Sequence, residues 1–212
     1  MTEYLVLVDG NDCRTGTGEK VACHLPQGRL HRAFTALIFD TSGRLVLARR
    51  SPSKMLWPNV WDGTFASHPR NEESYLASAT RRMAEEMGTT CSLDYLFKFE
   101  YHVPYEDVGS ENEMCGVVMG VAGPDVQFRV SADEISELNY ILPDELLLQV
   151  RGDPHSYCPW MLAALYLLPE SEGYALQKYA GVLSSWMEPA LRAQLADSIR
   201  AHMPDGNWRL VS

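Results

Sequence analysis

Residues 72–88 read EESYLASATRRMAEEMG and combine the spacing of a helix with a marked pattern of charges. The apolar side chains recur every three or four positions, which is the spacing of one buried helix face. Gly88 is a typical stop signal for such a helix. Acidic pairs open and close the segment, and Arg81-Arg82 lies between them. Taken alone, these charges fit either a solvated helix surface or a row of carboxylates that holds a metal ion.

Outward from this helix, the chain alternates between strand-like and helix-like segments. Period-two alternation predicts short strands near residues 4–9, 34–39, 44–49, 98–103, 114–121 and 137–142. Asp40-Thr-Ser-Gly43 is typical of a hairpin turn. Helical spacing predicts helices over residues 143–149, 159–167 and 174–202, the last with a break at Pro189.

The length of 212 residues and the 46% hydrophobic content are typical of one globular domain with an appendage. The polar stretch Leu168-Pro-Glu-Ser-Glu-Gly173 follows an apolar helix and is the best boundary. We therefore expect a main domain over residues 1–168 and a helical extension over residues 169–212. The extension either packs on the main core, forms a homodimer, or covers the active site.

The net charge of −10 argues against nucleic acid and anionic membranes as partners. This charge is unevenly distributed, because the first hundred residues hold 12 basic and 12 acidic side chains. The remaining residues carry the whole acidic excess. The neutral half can therefore still bind a small anionic ligand.

The expected compartment is the cytoplasm. No apolar run approaches the roughly 20 residues that a membrane span needs, and the N-terminal segment reads as a strand rather than a signal peptide. The five cysteines are odd in number and contain no C-x-x-C pair, so we expect reduced thiols.

Histidines and carboxylates supply the candidate metal ligands. His24 and His31 flank a turn that contains proline and glycine, and His68 follows a tryptophan-rich loop. Glu111 and Glu113 point to the same side of an extended segment, since strand side chains repeat every two residues. Imidazoles and carboxylates together suit zinc, manganese or magnesium. Spacing alone does not show that these residues converge.

The central helix resembles the Nudix box, G-x5-E-x7-R-E-U-x-E-E-x-G-U, where U is aliphatic. The matching residues are Glu73, Arg81, Met83, Glu85, Glu86 and Gly88. Three positions depart from the box, namely Ser67, Arg82 and Thr89.

A wider set of motifs resembles one branch of that superfamily, the type I isopentenyl diphosphate isomerases. The motifs are Thr17-Gly-Glu-Lys20, Cys23-His24, Arg29-Leu-His31, Leu47-Ala-Arg-Arg50, Trp57-Pro-Asn-Val-Trp61, Ser67-His68-Pro69, Glu111-Asn-Glu113 and Cys158-Pro-Trp160. They stand in the family's order and spacing over about residues 1–165. The resemblance implies an α/β Nudix fold, a mixed-sheet α/β/α sandwich, here with a C-terminal helical extension.

The resemblance also implies a role for each matching residue. The implied metal ligands are His24, His31, His68, Glu111 and Glu113, with Glu86 holding a second, substrate-associated magnesium. The implied diphosphate-binding residues are Lys20, Arg50, Lys54 and Arg82. Glu113 and Tyr101 would act as the acid, and Trp160 would stabilise a carbocation. The implied cofactor is a divalent metal, Mg²⁺, with Mn²⁺ or Zn²⁺ possible at the histidine site.

Ala66 occupies the position of the family's catalytic cysteine. A methyl group cannot exchange a proton, and Asp62 and Phe65 nearby also depart from the family pattern. We expect an isomerase-like enzyme that acts on a prenyl diphosphate in isoprenoid metabolism, with weakened or altered isomerisation. Ser67, Asp62 or water could act as the second base. The alternatives are rearrangement or cyclisation of a longer prenyl diphosphate, a diphosphohydrolase with magnesium at Glu85 and Glu86, and a non-catalytic prenyl diphosphate binder.

Overall fold

The structure, a computed structural model, describes residues 2–171 and 174–211. Its strands are β1 Tyr4–Val8, β2 Arg14–Glu19, β3 His31–Asp40, β4 Leu45–Arg50, β5 Trp61–Asp62, β6 Phe65–Ser67, β7 Leu93–Tyr105, β8 Gly109–Ala122, β9 Ile135–Ile141 and β10 Trp208–Val211. Its helices are α1 Lys20–His24, α2 Tyr75–Met87, α3 Pro143–Gly152, α4 Pro159–Leu167, α5 Tyr174–Lys178, α6 Ala180–Leu183 and α7 Pro189–His202. Short 3₁₀ turns cover Pro154–Ser156, Leu168–Glu170 and Ser184–Met187.

The strands form one mixed sheet around β3. Strand β3 runs parallel to β8, with His31 opposite Glu113 and Asp40 opposite Ala122. The other pairings are antiparallel, and the main path runs in the order β10-β7-β8-β3-β1-β2. Strand β4 connects β3 to β5 and β9, while β6 pairs with β3 directly. The parallel pair places the beginning of β3 beside Glu113, in the first half of β8, which matters for the site described below.

Alternation along β3 divides the core into two layers. Phe34, Ala36 and Ile38 face one side of the sheet, where α2 contributes Ala79, Met83 and Met87 to the same cluster. Leu37 and Phe39 face the other side, where α4 and α7 pack. Side chains of a strand point alternately to opposite faces, so a strand buried on both faces joins both clusters. The predicted α/β/α sandwich with a mixed sheet is confirmed.

Helix α2 begins and ends as its sequence indicates. The Ser74 hydroxyl accepts a hydrogen bond from the backbone N–H of Ala77 at 3.1 Å and caps the helix. Gly88 ends it with φ of 61°, and a Cβ at this position would lie 2.4 Å from the carbonyl oxygen of Arg129. Both the backbone conformation and the close approach therefore require glycine.

The C-terminal segment differs from its predicted form. The helical segment expected over residues 174–202, with one break at Pro189, is divided further into α5, α6, a 3₁₀ turn and α7. Pro189 is the first residue of α7, where its missing N–H costs nothing, so the predicted break is confirmed. Strand β10, which the sequence pattern did not predict, pairs with β7 at the sheet edge.

The apolar side of this segment packs against the main core. Leu183, Trp186 and Leu195 are each no more than 1% exposed and belong to the same cluster as Phe39. The indole of Trp186 also donates a hydrogen bond to the carbonyl oxygen of Gly43 at 2.8 Å. The domain boundary at residue 168 and a homodimer through these helices remain predictions. Such a dimer would have to use other faces of the helices. Glu172 and Gly173, at the end of the predicted boundary, lie outside the described residues.

Among residues 2–171 and 174–211, no helix has the length and hydrophobicity that a membrane span requires.

Candidate active site

Four side chains from different elements converge into a cluster of metal-binding type. His24 comes from α1, His31 and Glu113 from neighbouring strands, and His68 from the residue after β6. One potential ligand atom from each lies within 4.8 Å of every other. The register of β3 with β8 places His31 directly beside Glu113, and β6 brings His68 to the other side of β3. The cluster is therefore a product of the sheet topology.

Backbone carbonyls orient two of these imidazoles. His24 Nδ1 lies 2.7 Å from the carbonyl oxygen of Lys20, and His31 Nδ1 lies 2.7 Å from that of Arg29. A carbonyl oxygen only accepts hydrogen bonds, so each Nδ1 must be the donor. The Nε2 atoms therefore face the cluster, as expected for histidines that bind a metal.

The cluster contains buried polar atoms that a metal ion would satisfy. His31 Nε2 and both ring nitrogens of His68 have no hydrogen-bond partner among the described residues. Glu113 Oε1 lies 3.5 Å from His31 Nε2 and 3.3 Å from His68 Nε2. Buried polar atoms without partners are costly, and three imidazoles with a carboxylate are a suitable donor set for a divalent cation. These residues therefore fit a divalent metal.

Glu111 is the fifth predicted ligand and lies at the edge of the cluster. Its Oε2 is 3.1 Å from His24 Nε2, and its side chain is largely buried. Burial alone would lower the pKa of His24, but the neighbouring Glu111 raises it to about 9. Burial lowers the pKa of His68 well below its usual value, and the other cluster histidines add to this effect. His68 is therefore neutral at physiological pH and offers a lone pair.

Glu113 also links the cluster to Tyr101. The Tyr101 hydroxyl donates a hydrogen bond to Glu113 Oε2 at 2.5 Å, while Oε1 faces the histidines. Burial raises the pKa of Tyr101 well above its usual value, and the charge of Glu113 raises it further. Burial would also raise the pKa of Glu113, but His31 and the Tyr101 hydroxyl lower it overall. The pair thus consists of a carboxylate and a protonated phenol that share one hydrogen bond.

The cluster opens into a cavity of about 370 Å³. All four predicted diphosphate-binding residues line this cavity, together with Tyr101, Trp160, Glu111, Glu113, His24, His68 and Ala66. Apolar contacts come from Ala33, Phe34, Leu56 and the two apolar residues of the rim, Val21 and Met55. His31 lies behind the cavity wall and is fully buried. Glu86 is held behind Arg82. The volume falls in the range of small-molecule sites, about 300–1,000 Å³.

Each of the four cations is paired with a carboxylate. Lys20 contacts Glu3 at 2.8 Å, and Arg50 contacts Asp62 at 3.3 Å. Arg82 contacts Glu86 and Glu134, each at 2.7 Å, and Lys54 also contacts Glu134. Glu134, the partner of both Lys54 and Arg82, was not among the site residues predicted from the sequence. It lies in the irregular segment before β9. The one available signal was the acidic pair Asp133-Glu134 directly before a strand.

Two carboxyl groups near Arg82 have opposite pKa shifts. Burial raises the pKa of Glu86 to about 7, because the attraction of Arg82 does not fully offset desolvation. Burial would raise the pKa of Glu134 as well, but Lys54 and Arg82 lower it to about 2. Glu134 is therefore a permanent anion between two cations, whereas Glu86 is an acid whose charge a bound cation would stabilise.

Ala66 lies on β6 and pairs with Thr35 of β3. It lines the cavity from the strand on one side of β3, while Glu113 lines it from β8 on the other side. Ser67 is its neighbour on the cavity wall. Asp62 is not part of that wall. Its carboxylate instead accepts hydrogen bonds from Trp160, Gly63 and Arg50.

Comparison with known proteins identifies the family. A model of the NUDIX domain matches residues 29–161. An isopentenyl-diphosphate Delta-isomerase from Clavibacter sepedonicus is 33% identical over 177 residues, which cover 82% of this chain and 92% of that protein. Isopentenyl-diphosphate Delta-isomerase 1 from Photorhabdus laumondii subsp. laumondii is 40% identical over 117 residues, which cover 54% of this chain and 66% of that protein.

A similar fold also occurs in a crystal structure from Deinococcus radiodurans. That structure has a TM-score of 0.59 and 23% identity, and the match covers 71% of this chain and 90% of that one. The likeness supports the fold alone. The domain match and the sequence relatives together show that the chain belongs to the isopentenyl-diphosphate Delta-isomerase branch of the NUDIX family.

Proposed function

We propose that the protein is an isopentenyl diphosphate isomerase-like enzyme of isoprenoid metabolism that protonates the alkene of a prenyl diphosphate. The observation that carries this proposal is Glu113, which joins the histidine cluster to Tyr101 at the wall of a cavity lined by Trp160 and four cations. This arrangement provides an acid, an aromatic face and an anion-binding end in one cavity.

The diphosphate end of the substrate would lie against Lys20, Arg50, Lys54 and Arg82. These cations already have carboxylate partners, so an entering diphosphate must compete with Glu3 and Glu134 for them. A magnesium ion bound with the substrate near Glu86 would screen the phosphate charge, and a divalent ion held by His24, His31, His68, Glu111 and Glu113 would act as a Lewis acid on Glu113.

The Glu113–Tyr101 pair would donate a proton to the alkene, and the electrons of the broken O–H bond would stay on the oxygen of the pair. The π electrons of the double bond form the new C–H bond, and the positive charge then resides on the tertiary carbon. The indole of Trp160 would stabilise this charge by about 2 kcal/mol or more in a dry site. The remaining step of an isomerisation removes a different proton from the opposite face.

That second proton transfer lacks its usual partner here. Ala66 offers only a methyl group to the cavity, so Ser67 or water would have to accept the proton. Loss of one catalytic acid or base lowers the reaction rate by a factor of roughly 10²–10⁴. We therefore infer that isomerisation is weakened or altered.

A second candidate function is rearrangement or cyclisation of a longer prenyl diphosphate. Two apolar side chains of the cavity reach solvent at its mouth, since Val21 is 46% exposed and Met55 is 40% exposed. A longer hydrocarbon chain would cover them. A cation that forms beside Ala66 without a base would survive long enough to react within such a chain.

Product analysis separates these functions. The protein is incubated with magnesium and isopentenyl, geranyl or farnesyl diphosphate, and the products are identified by mass spectrometry. An isomer supports the first candidate, and a rearranged or cyclised diphosphate supports the second, because protonation of the alkene leaves the diphosphate ester intact. Release of phosphate with an unaltered prenyl alcohol would indicate a diphosphohydrolase, and binding without turnover a non-catalytic binder. Either of the last two results contradicts the proposal.

A further inference from the structure

Asp62 is a buried carboxylate whose role the mechanism leaves unassigned. It is 3% exposed, and the other carboxyl groups buried in the described part of the chain are those of Glu86, Glu111 and Glu113. Glu111 and Glu113 belong to the histidine cluster, and Glu86 forms an ion pair with Arg82. An ionised group is rarely buried unless several partners satisfy it, so its partners indicate its role.

Two hydrogen-bond partners of Asp62, Trp160 and Arg50, line the cavity. Oδ1 accepts a hydrogen bond from Trp160 Nε1 at 2.8 Å and from the backbone N–H of Gly63 at 2.7 Å. Oδ2 accepts a hydrogen bond from Arg50 Nη1 at 3.3 Å. One carboxylate therefore holds both an indole of the hydrocarbon wall and a guanidinium of the diphosphate wall.

Arg50 and Trp160 also contact each other. The Arg50 guanidinium carbon lies 5.2 Å from the centroid of the Trp160 ring. The Arg50 side chain further donates hydrogen bonds to the carbonyl oxygens of Trp57 at 2.9 Å and Leu56 at 3.0 Å. The guanidinium is thus fixed against the indole, and three of its five N–H donors are used within the protein.

The packing of Arg50 on Trp160 places a positive charge next to the ring that would stabilise a carbocation, and Asp62 would offset this charge. A fixed positive charge against the indole helps to bind a diphosphate, but it repels a carbocation that forms beside the same ring. A buried carboxylate on the far side of the pair offsets that repulsion. It also holds the indole N–H, so that the ring cannot rotate about its long axis.

We propose that Asp62 is a positioning residue that orients Trp160 and balances the charge of Arg50, so that one cavity can bind a diphosphate and stabilise a carbocation. This inference rests on the proposed function. It assigns to Asp62 a role other than the second base, because both of its oxygens are engaged behind the cavity wall.

Two substitutions separate orientation from charge. Asp62→Asn keeps an oxygen that accepts the indole hydrogen bond but removes the negative charge. Asp62→Ala removes both. The matched control is Asp12→Asn, because the Asp12 side chain is only 9% exposed and is held by Arg32 and Lys98 away from the cavity. Thermal unfolding of all three variants measures the purely structural cost.

The first readout is hydrogen exchange of the Trp160 indole N–H in ¹⁵N-labelled protein, with the signal assigned by its loss in Trp160→Phe. We expect wild-type protection in Asp62→Asn and Asp12→Asn and exchange at least about tenfold faster in Asp62→Ala. The second readout is calorimetric affinity for inorganic diphosphate with magnesium. Asp62→Asn should bind this probe as tightly as wild type or more tightly, since Arg50 keeps its charge and loses its counterion.

The third readout is turnover of isopentenyl diphosphate. We expect kcat to fall about 10- to 100-fold in Asp62→Asn, further in Asp62→Ala, and not in Asp12→Asn. Loss of kcat with unimpaired diphosphate binding is a result that general destabilisation would not produce. An Asp62→Ala protein with a protected indole, or an Asp62→Asn protein with weakened diphosphate binding, would overturn the inference. If wild type itself lacks turnover, the proposed function fails, while the first two readouts still decide the role of Asp62.

Discussion

Glu113 and Ala66 line the same cavity, but only Glu113 carries a group that can transfer a proton. Glu113 contacts both the histidine cluster and Tyr101, and under the proposed function this pair adds the proton. Ala66 faces the same cavity from the other side of β3 and supplies no group that could remove one. At the scale of single residues, the proposed site therefore holds one of the two proton-transfer groups that isomerisation needs.

Restoring a thiol at the cavity wall should restore isomerisation. We expect Ala66→Cys to raise the rate of isomer formation from isopentenyl diphosphate by a factor of roughly 10²–10⁴, because the thiol can exchange the second proton. Product formation is followed by mass spectrometry after acid hydrolysis. Ala66→Ser is the matched control and should give a much smaller gain, since a hydroxyl is a weaker acid. A cysteine variant no faster than wild type would show that more than this group is missing.

The histidine cluster should bind a divalent metal. We expect purified protein to retain about one equivalent of metal at this site, and His31→Ala to lose most of it, because His31 supplies an orphaned buried nitrogen. Metal content is measured by elemental analysis after gel filtration. His102→Ala is the control, since His102 contacts the carbonyl oxygen of Gln27 outside the cluster. Equal metal content in both variants would contradict the site.

At the scale of elements, helix α2 and strands β3 and β8 were predictable because their signals are local. Helical spacing over residues 72–87 and alternation in the strands depend on neighbouring residues only. Strand β2, which reads RTGTGE, has no apolar alternation, and β10 is four residues at a sheet edge, so neither had a local signal. The hydrogen bond from Trp160 to Asp62 joins residues 98 positions apart, and only the folded chain reveals it.

The ion pair between Glu73, which lies just before α2, and Arg81 within α2 should contribute stability that depends on pH. Glu73 accepts two hydrogen bonds from Arg81 at 2.8 Å, and this pairing lowers the pKa of Glu73 to about 2. A carboxyl whose pKa is lowered by folding stabilises the native state above its unfolded value and loses that contribution as pH falls. We expect Glu73→Gln to lower the free energy of unfolding by about 1–2 kcal/mol at pH 7, a modest value because the pair is partly solvated.

The difference in the free energy of unfolding between wild type and Glu73→Gln should shrink as pH falls from about 4.5 to about 2. Over this range Glu73 becomes protonated, first in the unfolded and then in the folded protein. Urea unfolding of the two proteins at several pH values measures it. A difference that stays constant over this range would show that the ion pair is not its source.

At the scale of the whole molecule, the C-terminal extension and the catalytic layers share one core. Trp186 is 1% exposed and packs edge-on against Phe39 of β3, with ring centroids 5.5 Å apart. Strand β10 places Trp208 opposite Tyr101 of β7. The extension therefore packs against strands that carry site residues.

This shared core predicts a single unfolding transition. We expect Trp186→Ala to lower the free energy of unfolding of the whole chain by about 3–5 kcal/mol, because it leaves a large cavity between the extension and the sheet. Urea unfolding is followed by far-UV circular dichroism. Leu148→Ala is the control and should have little effect, since Leu148 is 73% exposed. Two separate transitions, with only one shifted, would instead support an independent C-terminal unit.

The central claim, that the Glu113–Tyr101 pair protonates a prenyl diphosphate, is tested most directly by deuterium incorporation from D₂O. Wild-type protein is incubated with isopentenyl diphosphate and magnesium, and the recovered five-carbon diphosphates are analysed by mass spectrometry. We expect deuterium in the recovered substrate, because the cation returns a proton to the same pair when no second base is present. We expect no incorporation in Glu113→Gln and normal incorporation in Glu100→Gln, whose carboxylate contacts Arg209 outside the cavity. Unlabelled substrate in wild type, or equal labelling in Glu113→Gln, would contradict the claim.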